Sequence, residues 1–230
     1  MSEAVQVWCV PLLISERLVA TYAQCLSEDE RSRAARFRFE ADRQKFVVAR
    51  GVLRHLLAER LGGKAITLTF KYGEYGKPTT TASPTEACDF HFNLSHSGEL
   101  ALCALGGDRT VGVDIEQVRP IQRLGSMMER CLVDREKAKV TAQPTDQQAQ
   151  AFLQYWTCKE AYLKAIGLGL AQSMKTVEVD LTSSRLVNVP KDCLEGWQLH
   201  RLELPETYVG ALVVSGESTI EMKCWQHPNL

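Results

Sequence analysis

Three carboxylates sit in two short segments, Val111-Gly-Val-Asp-Ile-Glu116 and Trp156-Thr-Cys-Lys-Glu-Ala-Tyr-Leu-Lys164. A β-strand sends alternate side chains to one face, so Asp114 and Glu116 point one way and Val111, Val113 and Ile115 the other. Two adjacent carboxylates raise each other's pKa unless a cation neutralises them. All-oxygen ligation suits Mg²⁺, which commonly takes one or two carboxylates together with substrate phosphates. A solvated strand face gives the same alternation. On a helix, residues four apart share a face, so Glu160 and Lys164 point together, with Trp156 one turn earlier and Lys159 beside them. Taken alone, that pair is also a common surface ion pair.

Other segments offer anion chemistry. Phe92-Asn-Leu-Ser-His-Ser-Gly98 ends an apolar strand with Ser95 and His96, where side-chain donors and backbone N–H groups can cradle an anion. A Ser-His hydrolase is disfavoured, because neighbours on a strand face opposite ways and no Gly-x-Ser-x-Gly elbow is present. Gly76-Lys77-Pro78 reads as a turn carrying a cation. Arg43, Lys45, Arg50 and Arg54 form either a phosphate-binding surface or the solvated side of an amphipathic helix.

The elements that must hold these groups follow from pattern. Ser27-Glu-Asp-Glu30 has the form of a capping box and opens a helix to about Phe37. A second helix runs from Asp42 to the Gly62-Gly63 stop. Ile66, Leu68 and Phe70 alternate as in a strand, and a loop is expected from Gly76 to Glu86. Strands are expected at Phe92–Leu94, Leu100–Leu105 and Thr110–Glu116. A helix capped near Thr145 runs to Ile166, before Gly167 and Gly169, and strands follow near 175–181, 197–204, 208–215 and 219–225.

An echo at an offset of 110 residues aligns Phe46…Arg50-Gly-Val-Leu-Arg54 with Trp156…Glu160-Ala-Tyr-Leu-Lys164. It also aligns Ala101-Leu102 with Ala211-Leu212. This suggests an α+β fold of two similar halves, residues 1–110 and 111–230. The equivalent helix position then holds Arg50 in one half and Glu160 in the other, suited to phosphate and to metal respectively.

The 230 residues balance 27 Lys+Arg against 28 Asp+Glu, which gives no field for bulk nucleic acid or an anionic membrane. The apolar stretch from Trp8 to Ile14 is short and broken by Pro11, so neither a signal peptide nor a span is expected. Eight cysteines without a Cys-x-x-Cys pair read as reduced, mostly buried thiols in a cytoplasmic protein.

The order Gly-Lys-Pro, Phe-Asn-Leu-Ser-His-Ser-Gly, Gly-Val-Asp-Ile-Glu and Trp-Thr-Cys-Lys-Glu-Ala-Tyr-Leu-Lys-Ala-Ile-Gly-Leu-Gly-Leu resembles the 4'-phosphopantetheinyl transferases of the surfactin-synthetase-activating (Sfp) type. The resemblance spans about Arg33 to Leu170. It implies a monomer whose halves form an intramolecular pseudo-dimer with the active site between them. The implied reaction moves phosphopantetheine from coenzyme A to a serine of acyl, polyketide or peptidyl carrier proteins and releases adenosine 3',5'-bisphosphate. It implies Asp114, Glu116 and Glu160 as Mg²⁺ ligands, Ser95 and His96 at the coenzyme A phosphates, and Lys77 and Pro78 beside the adenine. Lys159 and Lys164 would face the pyrophosphate, and Arg33, Lys45 and Arg50 the 3'-phosphate. Glu136 stands at the family's serine-deprotonating glutamate, and Glu160 is the other candidate base. The segment 121–132, with Leu124, Met127 and Met128 beside Arg123 and Arg130, could receive the carrier or be ordinary helix core. The competing readings are a non-catalytic coenzyme A or nucleotide-binding regulator of the same fold and a metal-dependent phosphodiesterase.

Overall fold

The computed structural model describes residues 4–83, 86–168, 172–189 and 196–228. Gly169 and Leu170, which close the last motif, lie outside them. The first part of the chain runs β1 (Val5–Pro11), α1 (Glu16–Gln24), α2 (Glu28–Ala34), α3 (Glu40–Leu61), β2 (Phe70–Tyr72), β3 (Pro78–Ser83), β4 (Glu86–Ser97) and β5 (Leu100–Gly107). The second part repeats that order as β6 (Val111–Gln117), α4 (Leu124–Cys131), α5 (Asp134–Thr141), α6 (Gln148–Ala165), β7 (Glu178–Asp180), β8 (Arg185–Asn188), β9 (Trp197–Arg201) and β10 (Tyr208–Ser215). A last strand, β11 (Ile220–Cys224), follows.

Pairing repeats along with order. The first half builds the run β1-β5-β4 and the second β6-β10-β9, in each case with antiparallel neighbours. A short hairpin accompanies each run: β2-β3 extends the larger sheet, while β7-β8 stands apart. These are the two α+β halves that the 110-residue echo suggested. β11 crosses back to pair in parallel with β1, so the sheet of the first half includes a strand from beyond residue 111.

Each half buries its long helix in its own apolar core, around Phe46, Val52, Leu53 and Leu57 on α3 and around Phe152, Tyr162 and Leu163 on α6. A third core lies between the sheets, where Val5, Val7, Leu102 and Ala104 meet Val111, Val113, Ile115, Leu212 and Val214. This apolar seam makes the intramolecular pseudo-dimer. Beside it, Asn93 Oδ1 on β4 accepts the Val113 amide of β6 at 2.9 Å.

Some segments differ from expectation. The alternation at Ile66 and Leu68 belongs to a 3₁₀ turn at Ala65–Thr67, with β2 only three residues long. The Thr-rich stretch after Gly76 is strand rather than loop, because β-branched threonines suit a pleated ladder. Met174–Thr176 is likewise 3₁₀. The stretch near Trp8 is strand β1, whose partners come from far along the chain.

Gly112 fixes how closely β6 and α6, the two elements of the second half that carry the acids, approach. A Cβ there would lie 2.1 Å from the Ala161 carbonyl oxygen and 2.3 Å from the Ala165 amide nitrogen, both backbone atoms of α6. The missing side chain lets β6 press against α6. Gly112→Ala is expected to destabilise the fold by about 1–3 kcal/mol, the range for overpacking a filled interior, measured as a lower midpoint in urea unfolding.

Candidate active site

The acids predicted to act together meet where β4, β6 and α6 adjoin. Gly112, Asp114 and Glu116 share one face of β6. Asp114 Oδ1 accepts from Lys164 Nζ of α6 at 2.6 Å and from Ser95 Oγ of β4 at 2.8 Å. Lys164 Nζ also donates to Ser95 Oγ at 2.9 Å. Two residues further along both strands, Ser97 Oγ donates to Glu116 Oε2 at 2.7 Å and accepts the Gln117 amide at 3.1 Å. β4 therefore turns Asn93, Ser95 and Ser97 toward β6.

Two oxygens of this cluster, Asp114 Oδ2 and Glu160 Oε1, are buried with no hydrogen-bond partner. Burial raises the Glu160 carboxyl to about 7, and the charges of Asp114 and Glu116 add to the rise while Lys164 opposes it. Glu116 is raised as well, first by burial, with Ser97 working against it. Buried carboxylate oxygens left without a donor fit a hard divalent cation. Among the described residues no group of three or more His, Cys, Asp or Glu is gathered closely enough to hold a metal ion by itself. Magnesium does not require such a group, since it keeps waters and substrate phosphates in its shell.

On its other face β4 presents His96, which opens to solvent from a recess. The surrounding protein, then the positive charges of Lys164, Lys45 and more weakly Arg33, hold its imidazole below the usual range. Asp42 acts in the opposite direction, so the surroundings of His96 carry both signs of charge. Arg33 also lines a cleft of about 620 Å³ with Asp29, Arg36, Phe37 and Tyr72.

Several predicted residues are engaged elsewhere. Arg50 is buried, donates to Glu30 Oε1 and to the Tyr72 hydroxyl, each at 2.9 Å, and stacks over Phe70. Its charge is answered by Glu30 rather than left free for a phosphate. Arg54 is wholly buried rather than on a solvated face, bonded to Glu30 at 2.6 Å and to the Ala65 and Leu68 carbonyls. Lys77 extends Nζ to the Ala165 carbonyl at the end of α6 (2.6 Å) and to Val111 O (3.2 Å), and burial lowers it to about 8. Pro78 begins β3 beside it.

Lys159 and Glu136 form a buried pair at 2.5 Å. Lys159 also donates to the Cys131 and Met174 carbonyls, so it faces α4 and α5 instead of the carboxylate cluster. Glu136 accepts the Val133 and Val179 amides at 3.0 and 2.9 Å. The first half has the same device, in which Glu30 at the start of α2 accepts the Ser27 amide and holds Arg50 and Arg54 of α3. A carboxylate so enclosed is placed to anchor α5 on α6, not to meet an incoming serine. Met128 of α4 and Leu132 just after it are core, whereas Met127 and Arg130 line a groove with Trp156, Met174 and Lys175.

Sequence reasoning missed Ser97, Asn93 and the cleft residues Arg36, Phe37 and Tyr72. Ser97 was within reach, since it lies two residues from Ser95 on the same strand face.

Residues 110–213 match the family model described as 4'-phosphopantetheinyl transferase superfamily, and residues 15–106 that described as 4'-phosphopantetheinyl transferase, N-terminal. The 4'-phosphopantetheinyl transferase HetI of Nostoc sp. is 37% identical over 216 residues, covering 94% of this chain and 90% of that protein. The chain belongs to the 4'-phosphopantetheinyl transferase superfamily. A 4'-phosphopantetheinyl transferase of Bacillus subtilis is 27% identical over 207 residues, 89% of this chain and 84% of that one. The transferase psf-1 of Bacillus pumilus is 31% identical over 157 residues, 68% and 64% of the two chains. No helix of this phosphopantetheinyl transferase relative, among its described residues, is long and apolar enough to cross a membrane.

Two expectations follow. Glu136→Gln leaves the Lys159 ammonium buried without its counter-charge and should cost about 3–5 kcal/mol of unfolding free energy, read from denaturant unfolding. For Glu160, the unfolded chain ionises near 4.5 while the folded one keeps its proton to about 7. The folded state thus binds more protons between those values, and stability falls as pH rises through that window. Metal-free protein should show this decline between about pH 4.5 and 7, with a shallower one in Glu160→Gln, by thermal unfolding at stepped pH.

Proposed function

We propose that this chain transfers the 4'-phosphopantetheine group of coenzyme A to a serine of an acyl, polyketide or peptidyl carrier protein, with Mg²⁺ and release of adenosine 3',5'-bisphosphate. The observation that carries this reading is the pair of buried, unpartnered oxygens Asp114 Oδ2 and Glu160 Oε1 in the neighbourhood of Lys164 and Ser95. Family membership supports the same reaction.

In it, the serine oxygen bonds to the β-phosphorus of coenzyme A, and the bond from that phosphorus to the bridging oxygen breaks. Asp114, Glu116 and Glu160 would hold the metal, which would lower the negative charge of the pyrophosphate. Lys164 and Ser95 face the pyrophosphate from the two halves, and Lys164 stabilises charge as it passes to the leaving bisphosphate. His96, Lys45 and Arg33 receive the phosphates on the other face of β4. The first half supplies this anion contact, and the second the acids and Lys164. Lys77 and Pro78 border the adenine through the backbone of their turn, since the lysine ammonium is engaged. Of the two candidate bases, Glu160 stands at the seam, whereas Glu136 is enclosed with Lys159 and positions α6.

Because both halves of the seam belong to one chain, a monomer suffices. The groove at Met127 and Arg130 offers apolar and basic contacts for an acidic carrier helix. Six free thiols among the described cysteines suit a reducing compartment such as the cytoplasm.

Incubation with coenzyme A, Mg²⁺ and a panel of apo carriers should add one phosphopantetheine to at least one carrier by intact mass. Glu160→Gln should lower that transfer by roughly 100-fold or more while coenzyme A binding, followed by calorimetry, is largely kept. A chain that binds coenzyme A but modifies no carrier would be a regulator of the same fold, and cleavage of coenzyme A without a carrier would make it a phosphodiesterase.

A further inference from the structure

The parallel pairing of β1 with β11 sets Cys9 directly opposite Cys224. Just beyond, the Trp225 amide donates to the Cys9 carbonyl at 2.9 Å, so the ladder is intact at the cysteines. Opposed residues on neighbouring strands lie about 4.8 Å apart, inside the roughly 4.4–6.8 Å span over which a disulfide can join two Cα atoms. Alternation places both thiols on one face of the sheet, that of Val7 and Ile220 at the apolar seam. Trp8 and Trp225 meet edge-on upon the opposite face, 5.9 Å between centroids.

The segment is ordered before any bond forms. Trp225 Nε1 donates to the Tyr22 hydroxyl at 3.1 Å, that hydroxyl donates to His227 Nδ1 at 2.9 Å, and His227 Nε2 donates to the Pro11 carbonyl at 2.8 Å. Cys224 is exposed and Cys9 half-buried. Burial pushes the Cys9 thiol up, and the neighbouring Cys224 sulfur adds to the rise. The exposed thiol can meet a reagent, and the recessed one waits beside it.

We propose that Cys9 and Cys224 form a disulfide modification site that fastens the last strand to the first, with a small-molecule disulfide as oxidant. The Cys224 thiolate attacks one sulfur of oxidised glutathione, forming a mixed disulfide and releasing one glutathione thiolate. The Cys9 thiolate then attacks Cys224 Sγ, and the second glutathione leaves. Two protein thiols are oxidised, one glutathione disulfide is reduced to two thiols, and the two thiol protons pass to them. The site lies at the far edge of the sheet from β4 and touches none of the transfer residues.

Reduced full-length protein is treated with oxidised glutathione, then analysed by intact mass and by non-reducing peptide mapping. Wild type should lose two hydrogens and yield a linked peptide pair containing Cys9 and Cys224. Cys9→Ser should instead retain one glutathione, on Cys224. Oxidised wild type should unfold about 5–10 °C higher than reduced, reversibly with a reducing agent. Absence of the linked pair, wild type halted at the glutathione adduct, or equal unfolding midpoints would overturn the proposal. Because the wild-type map needs no substitution, misfolding of a variant leaves the test intact.

Discussion

Negative charge enclosed at a seam is the constraint around which the fold is arranged. Asp114 lies nearly out of reach of water, with one oxygen held by Lys164 and Ser95 and the other unmatched. Burying a carboxylate without full compensation is costly. Strand β4 reduces the cost with the hydroxyls of Ser95 and Ser97 facing Asp114 and Glu116, and α6 brings the Lys164 ammonium. Gly112 allows that helix to come close enough, so the spacing between Gly112 and Asp114 on one strand face is what joins packing to chemistry.

Duplication explains how such a site can exist within one chain. Both halves use a glutamate at the start of a short helix to bind basic residues on the long helix, Glu30 with Arg50 and Arg54, and Glu136 with Lys159. These pairs hold each helix in place. The halves diverge one layer further in, where β6 carries Asp114 and Glu116 and β4 faces it with hydroxyls. The repeat supplies the frame, and the asymmetry of the facing strands supplies the site.

Local pattern made the long helices, the strands around Phe92, Leu100 and Val111, and the acid cluster legible in the sequence. What it could not show was where long side chains end. The family resemblance places Arg50, Lys77 and Lys159 against coenzyme A. Each instead meets a carboxylate or a carbonyl brought from elsewhere in the chain. A side chain of four or more rotatable bonds has its partner chosen by tertiary packing, which periodicity does not encode. Strands β1 and β3 escaped notice for a related reason, since their ladders join residues distant in sequence or rest on threonines that also suit loops.

Lys77 gives the seam a mechanical property. It stands on the turn entering β3, yet its ammonium grips the last carbonyls of α6 and the first of β6. Lys164 and Glu160 lie within the final two turns of that same helix. One side chain of the first half thus ties the end of the helix that carries Glu160 and Lys164 to the start of the strand that carries Asp114, a cross-brace between two elements of the second half.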